Sequence, residues 1–86
     1  MKKLKATEIK NGMNFEVISE EPNIGLGFLP NDQFTLVKVP IGTMVEVTKK
    51  PFKELGFRVI NWKIQGINKE FQSHWVTFKK HTKWIE

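Results

Sequence analysis

The side chains best suited to chemistry are concentrated in residues 57–84. This stretch holds all three tryptophans, both histidines and the only arginine of the chain. Residues 44–86 carry nine lysines and arginines against four acids, whereas residues 1–43 carry five of each, so the net charge of +5 belongs to the second half. Such an asymmetry attracts an anionic partner.

Cations interleaved with aromatic rings are typical of a surface that binds nucleic acid, because the cations contact the backbone and exposed rings stack on unpaired bases. The alternative is structural, since tryptophans in a small domain usually belong to the core; Trp62, on one strand face with Ile60 and Ile64, is expected there. The candidate residues for binding nucleic acid or another partner are Arg58, Lys63, Lys69, Phe71, His74, Trp75, Lys79, Lys80, Lys83 and Trp84.

The composition of the cations indicates what kind of nucleic acid would bind. Thirteen lysines stand against one arginine. The arginine fork reads guanine edges, whereas lysine acts as a point charge. We therefore expect non-specific contact with RNA or single-stranded DNA, in a manner that weakens with salt.

The sequence offers little support for a catalytic site or a metal site. Ser73 directly precedes His74, and adjacent strand residues face opposite ways, so the two cannot act as nucleophile and base. His74 and His81 are seven residues apart, unlike the spacing of four in a helical metal pair. The chain has no cysteine, no phosphate loop and no paired carboxylates. The sequence predicts a protein that is not an enzyme, with no metal, cofactor or small-molecule substrate.

Length and hydropathy predict one domain over residues 1–86 without a membrane segment. No run approaches the ~20 apolar residues of a membrane helix. The basic start at residues 1–5 is not followed by the apolar stretch of a signal peptide. The absence of cysteine suits a reducing compartment, and we expect a cytoplasmic protein.

Alternation of apolar and polar residues predicts strands at 13–19, 34–39 and 42–48. Asn11-Gly12 is a turn signal, and residues 22–33 are expected to form a loop. Lys49, Lys50 and Pro51 are expected to end the third strand. Residues 52–56 then form a connector containing one helical turn.

Residues 57–84 predict a long hairpin that turns at 66–69. The apolar face changes parity between Val59 and Ile60, and again between Trp75 and Val76. Such a change indicates a bulge or a sharp bend, so the sheet is expected to curl on itself.

These elements predict an all-β domain of five to six strands. Their order along the chain resembles the small Src-homology-3-like barrel, with an OB-type barrel as the runner-up. The resemblance implies a short helical turn at residues 78–81 and a closing strand at 82–86. The resemblance concerns the fold alone and selects no function. The alternative function is therefore a protein-binding module, such as a regulator or inhibitor encoded by a phage or mobile element that docks on a host protein.

Two segments of the chain echo each other. Residues 12–17 and 42–47 both begin with glycine and end with Glu-Val, and each continues to a like-charged pair and a proline. Either a unit has been duplicated, or glycine and proline simply begin and end strands in both places.

Overall fold

The computed structural model describes residues 4–19, 25–27, 35–37 and 39–86. The elements in chain order are a 3₁₀ turn at Ala6–Glu8, β1 at Asn14–Val17, β2 at Gly25–Gly27, β3 at Thr35–Val37, β4 at Met44–Glu54, β5 at Phe57–Ile64, β6 at Glu70–His74, α1 at Trp75–His81 and β7 at Thr82–Ile85.

The strands form one antiparallel sheet in the order β3-β2-β6-β5-β4-β1-β7. The all-β class is therefore confirmed. Pairing between the two end strands, which would close a barrel, is not seen in the described ranges. Strand β2 lies inside the segment predicted to be a loop, most of which falls outside the described residues. No helix within the described ranges is long and apolar enough to cross a membrane.

Strand β4 continues through Pro51, so the prediction that it ends at residues 49–51 is wrong. Its register against β5 shifts between Val47 and Lys49 and again between Lys49 and Phe52. Proline lacks an N–H donor and is tolerated in a strand at such bulges. The helical connector predicted at 52–56 is also absent, because β4 runs to Glu54 and turns directly into β5.

Helix α1 begins at Trp75, earlier than the helical turn predicted at 78–81. Trp75, Phe78 and His81 are its buried residues, and their spacing of three places them on one side of the helix. The second parity change was therefore the start of a helix and not a bend in a strand. At the first change both Val59 and Ile60 are buried, and the bulges lie in the partner strand β4.

The core lies between the sheet, α1 and the N-terminal segment. Trp62 is 1% exposed, which confirms its predicted place. Its ring centroid lies 4.9 Å from that of Phe71 and 6.3 Å from that of Phe78, and its Nε1 donates to Ser73 Oγ at 2.8 Å. Leu4 and Ile9 belong to the same buried cluster.

The two echoing segments are antiparallel neighbours related by a local two-fold. Gly12 N donates to Val47 O at 2.8 Å, and Gly42 N donates to Val17 O at the same distance. The glycines have matching φ values of 91° and 92°, in the left-handed region that other residues adopt at a cost. The echo thus corresponds to two equivalent turns that flank the β1–β4 pair.

We expect Gly12→Ala and Gly42→Ala each to lower the free energy of unfolding by about 1–2 kcal/mol. The cause is the backbone conformation alone, because a Cβ at either site meets nothing within 4 Å. Urea unfolding of the two variants is the measurement. Costs that differ by more than about 1 kcal/mol would show that the turns are not energetically equivalent.

Candidate functional site

A cationic cleft lies between the N-terminal segment and the β4–β5 hairpin. Its volume is about 560 Å³. Its charged lining residues are Lys10, Lys50 and Arg58, and no carboxylate is among the described residues that line it. Lys10 comes from the turn after the 3₁₀ segment, Lys50 from the bulged part of β4 and Arg58 from β5. Three separate parts of the chain therefore contribute one positive charge each.

One hydrogen bond joins the two walls of this cleft, and another orders the N-terminal wall. Asn11 Oδ1 accepts a hydrogen bond from the Lys50 backbone N–H at 2.7 Å. Glu8 Oε1 accepts one from the Lys5 backbone N–H at 2.8 Å, so this nearby carboxylate is used to cap the 3₁₀ turn. Lys50 is thus held at its backbone, and the residue as a whole is exposed.

Two cations of the hairpin, Lys53 and Arg58, lie side by side near its tip. Lys53 lies directly opposite Arg58 in the β4–β5 register, and like charges in such a pair repel. The ion pair seen within the described ranges lies elsewhere, between Lys83 Nζ and Glu16 Oε1 at 3.5 Å. An anion bound beside Arg58 would relieve this repulsion.

The opposite face of the hairpin carries a small apolar hollow. Its volume is about 150 Å³, and its lining includes Leu55, Phe57, Val59 and His74. The Phe57 and His74 ring centroids are 5.2 Å apart. Leu55 is 91% exposed and Phe57 58% exposed, so the tip of the hairpin presents apolar side chains to solvent.

The predicted binding cations do not gather on one surface. Arg58 alone among them lines the cleft. Lys63 pairs across the sheet with Glu46 on one side and Glu70 on the other, and Lys69 Nζ lies 5.5 Å from the Phe71 ring centroid.

The remaining predicted cations lie on the helix and on the last strand. Lys79 and Lys80 are exposed on α1. Lys83, on β7, forms the ion pair with Glu16. Neither group lines the cleft.

The expectation of exposed aromatic rings needs correction. Phe71 and Trp75 are 4% and 5% exposed, because Phe71 packs on Trp62 and Trp75 begins the buried side of α1. Trp84 is half-buried against the core. His74 is exposed as expected. Phe71 and Trp75 therefore present no face on which a base could stack.

Sequence reasoning considered Ser73 with His74 and missed the serine–histidine pair that does form. Ser19 Oγ and His81 Nδ1 share a hydrogen bond, and Ile18 N donates to His81 O at 2.9 Å. His81 is 5% exposed, so its ring is packed in the interior and not presented to a substrate. We interpret the pair as a link between the end of β1 and the end of α1. The described residues contain no group of three or more histidines and acids that could hold a metal ion.

Lys10, Lys50 and Asn11 were not among the predicted site residues. Residues 4–10 showed no clear periodicity, and their packing beside β4 depends on contacts distant in sequence. One local signal was present, since the Asn11-Gly12 turn precedes a strand and Lys50 sits next to a proline. That signal predicts turns and bulges, not a shared cleft.

Comparison with known proteins does not assign the chain. No protein-family model, no curated protein and no solved structure matches it. Function must therefore be argued from the geometry.

Proposed function

We propose that this chain is a non-catalytic binding module that holds nucleic acid by its phosphate backbone. The observation that carries the proposal is the cleft whose charged lining residues are Lys10, Lys50 and Arg58, with no described carboxylate beside them. Phosphate contacts to lysine and arginine supply most of the affinity in sequence-independent binding, because they release condensed counterions.

The polar neighbours of these cations fit the same ligand. Thr7 and Asn11 also line the cleft, and hydroxyl and amide groups are regular partners of phosphate oxygens. Arg58 offers a planar fork for two phosphate oxygens, whereas the lysines act as point charges. With Phe71 and Trp75 buried, binding rests on backbone contact more than on base stacking. The ligand class therefore includes RNA and single-stranded DNA without sequence preference.

The double variant Lys50→Gln/Arg58→Gln tests this proposal against a matched control. Lys79→Gln/Lys80→Gln removes the same charge from exposed positions on α1. We expect the cleft variant to weaken binding of a fluorescent single-stranded 20-mer roughly 10-fold, and to reduce the slope of log K against log salt by about 1.4, because each lost contact removes about 0.7. The measurement is fluorescence anisotropy between 50 and 200 mM salt.

The helix variant should change both quantities less than the cleft variant does. Equal losses in the two variants would mean that net charge, and not the cleft, attracts the nucleic acid. Absence of binding by the unmodified protein at 50 mM salt and micromolar concentration would refute the proposal.

Protein binding is the second candidate function, and the exposed apolar side chains at the tip of the β4–β5 hairpin favour it. Leu55 is 91% exposed and Phe57 58% exposed, and exposed apolar side chains rimmed by polar ones mark surfaces that contact other proteins. Affinity purification from the source cell, with and without nuclease, separates the two functions. A dominant partner that survives nuclease supports protein binding, and one that is lost with nuclease supports nucleic-acid binding.

Three further expectations belong to this proposal. The module works in the cytoplasm and catalyses no reaction. The chain is a Src-homology-3-like barrel in its broad design, an idea supported by the bulged β4, the short helix before the last strand and the antiparallel order of neighbours. An experimental structure of the whole chain tests the barrel.

A further inference from the structure

The polar side chains that line the cationic cleft can all donate hydrogen bonds. Lys10, Lys50 and Arg58 are cations, and Thr7 contributes a hydroxyl group. Asn11 Oδ1 accepts a hydrogen bond from the Lys50 backbone N–H, so the part of this amide that suits an anion is its Nδ2 donor. The described lining therefore offers three positive charges and two neutral donors, with no carboxylate to compete for them.

The charge of this cleft is concentrated in a concave site. Its volume of about 560 Å³ lies in the range of about 300–1,000 Å³ that is typical of pockets for a small ligand. Lys79 and Lys80 on α1 and Lys83 on β7 do not line it. Lys53 lies opposite Arg58 in the β4–β5 register but outside the lining. A compact group of high charge therefore suits the cleft better than a long stretch of strand does.

The two kinds of phosphate in a nucleic acid differ in charge. An internal phosphodiester carries a single negative charge. A phosphomonoester at the end of a strand carries about −1.5 to −2 charges at pH 7 and offers three acceptor oxygens. The fork of Arg58 can contact two of these oxygens, while lysines act as point charges. Three cations in one cleft therefore match the end of a strand more closely than its interior.

We propose that the cleft binds the phosphomonoester at the end of a nucleic-acid strand. This inference rests on the proposed nucleic-acid function and deepens it, because it names the part of the ligand that the site selects. A terminal nucleotide can enter a concave site, whereas an internal nucleotide has a chain leaving on both sides. Ala6 and Pro51 also line the cleft and provide an apolar surface for the sugar of the terminal nucleotide.

Other molecules carry the same phosphomonoester group, but a strand makes fuller use of the surrounding charge. Lys53 lies beside Arg58 and outside the cleft, where a cation can contact the next phosphate of a strand. Inorganic phosphate has no second phosphate to place there, and a peptide with a single phosphoserine has none either. These two molecules therefore serve as competitors in the test.

The test compares three single-stranded 20-mers of one sequence, which carry no phosphate at either end, a 5′-phosphate or a 3′-phosphate. Each is labelled at an internal base, and fluorescence anisotropy with the full chain at 100 mM salt gives its dissociation constant. We expect at least one phosphorylated strand to bind about 10-fold more tightly than the unphosphorylated strand, because its end gains charge-assisted hydrogen bonds. A gain below about 3-fold for both phosphorylated strands would overturn the inference.

Variants of exposed residues show whether the cleft causes the preference. Lys50→Gln/Arg58→Gln should remove it. Arg58→Lys keeps the charge and loses the planar fork, so it should reduce the preference at least 3-fold and change the affinity for the unphosphorylated strand less than 2-fold. Lys79→Gln/Lys80→Gln should weaken all three strands alike and keep the preference. All four side chains are exposed, so each variant should unfold at nearly the same urea concentration as the unmodified chain.

The outcomes separate this inference from the function beneath it. Equal binding of the three strands overturns the selection of an end and leaves phosphate-backbone binding standing. Absence of binding to every strand at 50 mM salt refutes the function itself. A preference that persists in Lys50→Gln/Arg58→Gln places the end at another site and overturns the inference. Displacement of the phosphorylated strand by an equal concentration of inorganic phosphate or phosphoserine peptide also overturns it, because the site would then need no strand.

Discussion

Replacing Trp62 by alanine is expected to lower the free energy of unfolding by about 3–5 kcal/mol, as full truncation of a buried aromatic side chain does. The ring is 1% exposed, packs against Phe71 and Phe78, and donates a hydrogen bond to Ser73. A folded chain of 86 residues has about 4–13 kcal/mol of stability in total. The variant should therefore populate unfolded chains at temperatures where the unmodified protein is folded.

The matched control for Trp62→Ala is Phe57→Ala. It truncates an aromatic ring on the same strand, but one that is 58% exposed. We expect a loss below about 1 kcal/mol, because most of that ring is already in water. Chemical unfolding followed by circular dichroism measures both variants. Similar losses in the two would contradict the placement of Trp62 in the core.

Phe78→Ala is expected to cost about 3–5 kcal/mol and to detach α1 from the sheet. The helix has seven residues, too few to be stable in water by itself. Phe78 is 1% exposed, lies edge-on to Phe15 at 5.1 Å and contacts Trp62 and Trp75. Truncation removes the central contact of the buried helix face.

Val76→Ala separates packing from helix propensity. Val76 lies on the same helix but is 69% exposed, and alanine is the better helix former. The free energy of unfolding of this variant should lie within about 0.5 kcal/mol of that of the unmodified protein, or slightly above it. A large loss of unfolding free energy in Val76→Ala, together with a small loss in Phe78→Ala, would contradict the placement of Phe78 on the buried side of α1.

The strand content was predictable wherever period-two alternation dominated. Strands β1 and β7, the core of β4 and the β5–β6 hairpin lie within predicted segments, and Trp62 was placed in the core from its neighbours Ile60 and Ile64. Alternation works there because one face of each strand packs on the interior. The same rule fails where a strand changes register.

Pro51 and Trp75 show why the other boundaries were missed. Proline normally ends a strand, but here β4 accommodates it at a bulge, which requires a partner strand that local sequence does not reveal. Residues 75–81 combine valine and threonine, which favour strands, with buried side chains at helical spacing. Tertiary packing by Phe78 outweighs that local preference.

The candidate site depended still more on tertiary structure. Concentration of charge pointed to residues 57–84, yet Lys10 and Lys50 join Arg58 through a turn and a bulge far apart in sequence. Alternation along the strands also could not show whether Phe71 and Trp75 are buried or exposed. That outcome depends on α1, which covers one face of the sheet. Among the residues predicted to bind a partner, Arg58 is the one that lines the cleft.

The reciprocal hydrogen bonds around Gly12 and Gly42 also bear on how the chain folds. They bring the end of β1 next to the start of β4, so residues 18–41 leave and return at neighbouring points. Joining such ends costs entropy that grows only slowly with length, about 0.6 kcal/mol for each doubling. Closure of the β1–β4 pair therefore depends only weakly on the length of the chain between its two strands. In evolutionary terms, the register of the β1–β4 pair is insulated from changes elsewhere in residues 18–41, whereas the β2–β6 pairing depends on residues of that segment itself.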